Sequence, residues 1–536
     1  MLYQSYAYGK NHWQLEPDLK PILSRYWKDL PDCEQALLDF GALAGGRAYE
    51  IADHVDHGTA PILVMHDLDG QRIDRARLSP AHADLLKHMA FINRPPYEGG
   101  SWHHHFAFGF LLADPGLYCS LIVTNQTAYA IHKYAPEHRP WIDALLSGDL
   151  WGATWMTETQ GGSDLGANTT TARLEDGGWR LYGEEKYFAS NAGLADLAIV
   201  TARPQGAPPG PKGIALFLVP RLDQDGRLNF HVRRLKSKSA TRAVPTGEVE
   251  LHGSQAFSIG DADMGIYYTL ENLTVSRLAN AVGAMGLARK AHLESLFRVQ
   301  ARAAFGKPLV EHPLIRRDLT DLAVRIAGGL SLVFHAIHAF DVAWRETPPY
   351  TDRYHYARFL SHLAKNRTAE HAAHATLLAM ELFGGLGFLD EYVVSRLHRE
   401  ALVTLIWEGT SNIQALDMLE AMRKKAAHES FLDDIVPKLE HAGTDEAALA
   451  QKTLDEVLAH LGSLGPEEAQ WYGKDALATL ADVAQVALLY DLAYHAGARY
   501  AKLAALYARR FLGNAPYPSW ALADREVWLP MDLDAP

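Results

Sequence analysis

The sequence predicts an α+β chain that is mostly α: an N-terminal helical domain (1–150), a middle β domain (151–262), a C-terminal four-helix bundle (263–426) and an extra C-terminal helical domain (427–536). Three observations carry this prediction. Apolar residues recur at three and four spacing in "LLKHMAFI" and "AYAIHKYA", the period of one helix face. Near Trp151 the pattern changes to short β-prone runs, 169–174 and 179–182, joined by Asp176-Gly177-Gly178, a hairpin signal. Beyond Asp263 the helical period returns and persists.

Taken in order, residues 37–150 read as helices interrupted at Pro95-Pro96 and at Asp114-Pro115-Gly116, where proline and glycine break the period. In the β domain, "LADLAIVTA" and "GIALFLVP" flank the loop "RPQGAPPGPKG", and "GEVELHG" follows. That loop reads as an exposed turn within the domain. The stretch from "YYTLENL" to "RAAFG" suits one helix of about 30 residues, some 45 Å at 1.5 Å per residue. Two or three more helices run to about Lys425, lengths that suit a bundle. From about 428 the text is Ala- and Leu-rich and helical, and it ends in a loop-like segment from Asn514. There is no internal repeat.

Composition bounds the function. A formal charge of −13 gives no electrostatic reason to expect nucleic acid or an anionic membrane, because phosphate binding needs clustered Lys and Arg. Two cysteines, Cys33 and Cys119, exclude a disulfide scaffold and suit a reducing compartment. The N-terminus lacks a signal-peptide pattern, and no apolar stretch is expected to reach the roughly 20 residues of a membrane span. A cytoplasmic protein without a membrane partner is expected.

Several motifs are missing. No G-x-G-x-x-G joins a strand to a helix, and no P-loop or H-E-x-x-H occurs. His103-His104-His105 and His371-x-x-His374 have no Cys or carboxylate set beside them, so no metal is expected. Gly162-Ser163-Asp164 is not a nucleophile elbow, since Leu165 stands where its last glycine belongs.

Four stretches carry chemistry. "WMTETQGGSDLGANTT" (155–170) combines hydroxyls and two adjacent glycines, which let backbone N–H groups approach an anionic or heteroaromatic ligand. "EEKYFASNAGLADL" puts Tyr187 and Phe188 beside Ser190 and Asn191, suited to a flat ring. "RAAFGKPLVEHPLI" and "ELFGGLGF" each read singly as a helix stop. Together, and in this order, the four resemble the acyl-CoA dehydrogenase family of flavoproteins over about residues 150–425, with a weaker match to the N-terminal helices. The family's T-E-x-x-x-G-S-D corresponds to Thr157, Glu158, Gly162, Ser163 and Asp164, with Met156 ahead of it. Its W-I-T-N corresponds to Phe188, Ala189, Ser190 and Asn191, with Phe for Trp. R-x-x-F-G corresponds to Arg302, Phe305 and Gly306, and Q-x-x-G-G-x-G to Glu381, Gly384, Gly385 and Gly387. The resemblance implies an acyl-CoA dehydrogenase-like fold, FAD as cofactor, a small-molecule acyl-CoA substrate, and a homotetramer built as a dimer of dimers. In it the last two motifs reach the FAD of a neighbouring subunit. An electron-transferring flavoprotein is a candidate acceptor. Within the family, M-T-E-x-Q-G-G-S-D, W-E-G and the extra helical domain look most like the AidB, or alkylation-response, subgroup.

The family's E-G-T glutamate, the base that removes an α-proton from the thioester, corresponds to Glu408 in "LIWEGTSNIQALDML", with Trp407, Thr410 and Asn412 at positions that touch FAD. No cation stands near Glu408 in the sequence. Burial beside Ile406 and Trp407 is therefore expected to raise its pKa into the range of an efficient base; a neighbouring cation would undo this. Some relatives carry their base at the position of Ser276, which cannot do that work. Three functions stay open: FAD-dependent dehydrogenation, a DNA-associated protective role with weak or vestigial turnover, and thioester sequestration. DNA is disfavoured by charge, since residues 427–536 hold eight Lys and Arg against seventeen acids, a balance of −9. The basic run Arg233, Arg234, Lys236, Lys238 reads as a solvated strand face or a phosphate contact.

Overall fold

A computed structural model describes residues 5–531 and 533. The chain forms two compact units, one from residues 50–99 and 115–276, the other from 1–49, 100–114 and 277–536. The cuts expected at 150 and 262 mark changes of secondary structure, and that at 426 separates two consecutive helices, Ser411–Lys425 and Ala427–Ala442.

The first unit carries the β-structure. A hairpin of β1 (Ile62–His66) and β2 (Arg72–Arg77) precedes the main sheet. This corrects the expectation of an all-helical segment over 37–150. The signal was present in the Asp69-Gly70 turn and in the alternation of "RIDRAR", but the flanking helical period masked it. Asp74, buried in β2, accepts the backbone N–H of Val232 at 2.7 Å and is paired with Arg72 at 3.0 Å.

The main sheet comprises β3 (Gly152–Trp155), β4 (Thr171–Glu175), β5 (Gly178–Ala189), β6 (Leu197–Pro204), β7 (Ala215–Pro220), β8 (His231–Leu235) and β9 (Gly247–Ser258). Hydrogen bonding runs β6-β4-β5-β9-β7 and returns to β6, with β3 added on β6 and β8 on β9. The five strands thus close on themselves, which leaves free edges only on the short β3 and β8. Trp155, Leu181, Val200, Phe217, Phe230, Val249 and Leu251 fill its interior. The Pro-rich loop is the exposed turn expected, gathered by Arg203, whose guanidinium donates to the carbonyls of Gly166 and Gly210 at 2.6 and 3.1 Å.

The second unit is helical. Its bundle contains α1 (Gly265–Ala301, the first turns of which belong with the β unit), α2 (Pro313–Ala343), α3 (Asp352–Phe383), α4 (Val393–Thr404) and α5 (Ser411–Lys425). α2 and α3 pack along their lengths, and the Gly473–Ala496 helix covers α2, α3 and α5. Gly286 marks one close approach in α1: a Cβ there would stand 2.5 Å from the Phe110 carbonyl. This corrects the expectation about membrane-length apolar stretches: by length and composition, α2 and the Gly473–Ala496 helix are both long and apolar enough to cross a membrane. Their most apolar stretches are 89% and 78% buried within the protein.

Candidate functional site

Each unit presents its own part of the site. In the β unit, Glu158 and Lys186 are both buried and paired at 2.8 Å. Glu158 also accepts from Thr169 N at 2.6 Å, Thr169 Oγ1 at 2.9 Å, Thr170 N at 3.2 Å and Thr170 Oγ1 at 2.5 Å, while Lys186 donates to the Thr201 carbonyl at 2.7 Å. Burial alone would raise the Glu158 carboxyl, but the Lys186 ammonium and these donors outweigh it and hold the group at about 2. The sequence reading set Glu158 among the ligand contacts; its side chain instead fastens the loop to β5. The spatial reason is that Lys186 lies across from it in an antiparallel bridge, which linear spacing does not reveal.

That anchor shapes what surrounds it. Met156 is buried and its carbonyl accepts from Asn168 Nδ2 at 2.8 Å. Thr157 accepts the Tyr187 N–H at 2.9 Å, and a Cβ on Gly162 would stand 2.5 Å from Thr157 Oγ1, so only glycine fits there unshifted. Gly162, Ser163 and Asp164 are exposed. Ser190 Oγ donates to the Thr154 carbonyl at 3.1 Å, which ties the end of β5 to β3. Phe188 is 55% exposed at that end, and Lys236 Nζ lies 4.7 Å from its ring centroid. The basic run is largely neutralised: Arg233 binds Glu250 at 2.6 Å, and Arg234 and Lys236 bind Glu248 at 2.7 and 2.8 Å. His231, Glu250 and His252 have ligand-type atoms within 4.8 Å of one another across β8 and β9, with Arg233 already on the carboxylate.

In the helical unit, Glu408 stands in the turn between α4 and α5 with φ +59°, followed by Gly409 at +97°. A non-glycine residue in this left-handed region is uncommon and persists only where its surroundings fix it. Here they do. Arg277 Nε and Gln414 Nε2 donate to the Glu408 carbonyl at 3.2 and 2.9 Å. Gln414 Nε2 and Lys365 Nζ donate to that of Gly409 at 3.0 and 2.6 Å. His362 Nδ1 holds Gln414 Oε1 at 2.8 Å. Trp407 Nε1 donates to Asn280 Oδ1, and Asn280 in turn donates to the Thr404 carbonyl at 3.1 Å. Thr410 caps α5 and, like Asn412, is exposed.

Two expectations about this acid are corrected. Ile406 is 64% exposed and Glu408 only half-buried, so no apolar pocket encloses the carboxylate. A cation also stands nearby: the Lys365 ammonium lies within electrostatic reach of Glu408. It comes from α3, more than forty residues earlier, so no reading of the local sequence finds it. His362 and Lys365, three apart on α3, are both buried.

The remaining predicted residues share one exposed region of the helical unit. Phe305 is 96% exposed with φ +52°. Arg302, Glu381 and Gly384 are exposed, and a Cβ built on Gly384 would lie 3.7 Å from Arg302 Nη1. Gly385 faces open space. In the β unit, open glycine backbone at Gly161 and the exposed Phe188 ring fit a flat-ring ligand; in the helical unit, open backbone at Gly385 and the Arg302 guanidinium fit phosphates.

Comparison with known proteins agrees. The chain matches "Adaptive response protein AidB N-terminal domain" over residues 4–150, "Acyl-CoA dehydrogenase, middle domain" over 153–254 and "Acyl-CoA dehydrogenase, C-terminal domain" over 263–423. The AidB protein of Escherichia coli (strain K12) is 30% identical over 402 residues, 70% of this chain and 71% of that one. The structure of Caenorhabditis elegans ACDH-11 in complex with C11-CoA has a TM-score of 0.83 at 24% identity, covering 99% of this chain and 97% of that one. An acyl-CoA dehydrogenase from Bacillus anthracis complexed with FAD gives 0.71 at 18% identity, covering 97% and 91%. At those identities the two structures show the fold. The chain belongs to the acyl-CoA dehydrogenase family, whose members are FAD flavoproteins. Within that family it is similar to AidB, from the N-terminal segment through the bundle.

Proposed function

We propose that this chain is an FAD-dependent oxidoreductase that dehydrogenates an acyl-CoA thioester between Cα and Cβ. The observation that carries the reading is the turn at Glu408: a carboxylate in a left-handed conformation, its flanking carbonyls held by Arg277, Gln414 and Lys365. Such fixing of one acid is what general-base work requires. Glu408 takes the α-proton, the β-hydrogen leaves with its electron pair, and a C=C bond forms as two electrons leave the substrate. FAD, when bound, supplies the acceptor of that hydride at its N5 position.

The chain's own residues divide the remaining tasks. Met156, Thr157, Gly162, Ser163 and Phe188 line one side of the cofactor, with Ser190 and Glu158 holding that wall in place. Within the helical unit, Trp407, Thr410 and Asn412 flank the base and are assigned cofactor contacts of their own. Arg302, Phe305, Glu381, Gly384 and Gly385 serve the FAD of a neighbouring subunit in a homotetramer, which accounts for their exposure in one chain. The thioester reading draws support from the acyl-CoA bound by the ACDH-11 structure, and an electron-transferring flavoprotein is the proposed acceptor.

Anaerobic bleaching of the flavin's visible absorption by a panel of short, branched and long acyl-CoAs tests this. Rapid bleaching by one class, slowed at least about a thousandfold in Glu408→Gln, is the expected result, as for loss of an essential base. A yellow protein that no thioester bleaches would sink the dehydrogenase reading. The match of residues 4–150 to the AidB N-terminal domain favours a second reading, a DNA-associated protective flavoprotein, which binding to duplex DNA tests.

A further inference from the structure

Lys365 is 1% exposed, in the middle of α3. A lysine that deep loses solvation that its neighbours must replace. Its ammonium donates to the carbonyl of Gly409 at 2.6 Å and reaches that of Leu405 at 3.4 Å. These carbonyls bracket Glu408, one at the C-terminal end of α4 and the other just past the left-handed residue. A single side chain therefore grips both ends of the turn that presents the carboxylate.

The charges facing this turn come from three helices. From α1, Arg277 gives its Nε to the Glu408 carbonyl and its Nη2 to Asp417 at 3.0 Å. From α5, Asp417 answers Arg277 and also Arg358 of α3, at 3.9 Å. His362 of α3 is pushed by burial, with Arg277 adding, down to about 3, so it is neutral near pH 7. Two arginines thus share Asp417, whereas the ammonium of Lys365 rests on carbonyl oxygens and its charge acts on Glu408. Burial pushes Lys365 down to about 7, with Glu408 opposing the change and Arg277 adding to it.

We propose that Lys365 is a positioning residue for Glu408: it holds the Leu405–Gly409 turn in the left-handed conformation and keeps the carboxylate ionised. This rests on the reading of Glu408 as the base. It also changes how that base works. An acid enclosed in apolar surroundings gains basicity by desolvation, at the risk of being protonated at rest; here the nearby cation keeps it ready to accept a proton over a wider pH range.

The test uses the FAD-loaded protein and the variants Lys365→Met, Lys365→Gln and Lys365→Arg. The primary readout needs no turnover: the carboxylic acid stretching band of Glu408, isolated by infrared difference between each protein and the same protein carrying Glu408→Gln, followed against pH. In Lys365→Met the midpoint of that band should rise by at least about one pH unit, the size of shift that a nearby opposite charge gives, and Lys365→Arg should restore it. Thioester bleaching near pH 7 should slow at least about tenfold in Lys365→Met, with its pH profile displaced upward and the thioester concentration for half-saturation little changed. An unchanged Glu408 midpoint in Lys365→Met overturns the proposal. If the Met variant does not fold, Lys365→Gln, which keeps a donor without charge, decides: a wild-type midpoint there overturns it equally. Should no thioester bleach the wild type, the dehydrogenase reading fails on its own, and the infrared titration still settles whether Lys365 controls Glu408.

Discussion

At the scale of the residue, Glu158 shows how a motif position can be mistaken for a ligand contact. Its two oxygens take five donors, one of them a buried ammonium. Removing one member of a buried pair leaves the other charge stranded, so Glu158→Gln should destabilise the protein by about 3–5 kcal/mol, read from the denaturant midpoint near neutral pH. The pH dependence has a definite sign. The carboxyl is depressed from 4.5 to about 2 in the folded state, so its contribution is fully present above about pH 4.5 and is lost as pH falls toward 2. Stability curves of wild type and Glu158→Gln should therefore converge over that interval. Curves that stay parallel down to pH 2 would show that the pair contributes nothing. The sequence singled out these positions by residue type and spacing, but not the partners that hold them. Gly162 does lie close against the Thr157 side chain, but the partners of Glu158 and Glu408 arrive from distant segments and leave no mark nearby.

At the scale of the element, the turn between α4 and α5 depends on Gly409. Its φ of +97° disfavours any side chain, and a Cβ there would meet Gln414 Nε2 at 2.7 Å. Gly409→Ala should strain the backbone by about 1–3 kcal/mol and displace the amide that holds the Glu408 carbonyl. Flavin bleaching should slow at least about tenfold while the helical circular dichroism is kept. Gly462→Ala, also into open space but outside every residue assigned to the site, is the control for ordinary loss of a glycine, and an equal effect there would refute the argument for the turn. Elements differed in how plainly the sequence announced them. The helical period identified α1, and the alternation with an Asp-Gly-Gly turn identified β4 and β5, because each is a local pattern. The β1–β2 hairpin escaped because its strands are short and lie between helices. Closure of the sheet through the β6–β7 and β6–β4 pairings escaped because register between separated strands is a property of packing.

At the scale of the whole molecule, charge decides between the dehydrogenase and the DNA-associated readings. The chain carries −13 overall, and residues 427–536 carry −9. Cations that might have met phosphates are engaged within the protein: Arg499 with Asp18, Lys438 with Asp434, Lys502 with Asp524, and Arg233, Arg234 and Lys236 with the glutamates of β9. Arg423, Lys424 and Lys425 close α5, where cations complement the helix dipole, and Lys424 also pairs with Glu420 at 3.0 Å. Binding to duplex DNA needs several phosphates neutralised at once, and its affinity then falls steeply with salt. Fluorescence anisotropy with a duplex of about 30 base pairs should accordingly give no dissociation constant tighter than about 100 μM at 150 mM salt, the weak end of what non-specific DNA binders reach. Any signal at low salt should disappear by about 200 mM. Submicromolar binding at 150 mM salt, with a slope equivalent to four or more phosphate contacts, would mean that these ion pairs open to admit DNA, and would move the weight from thioester oxidation to the protective reading.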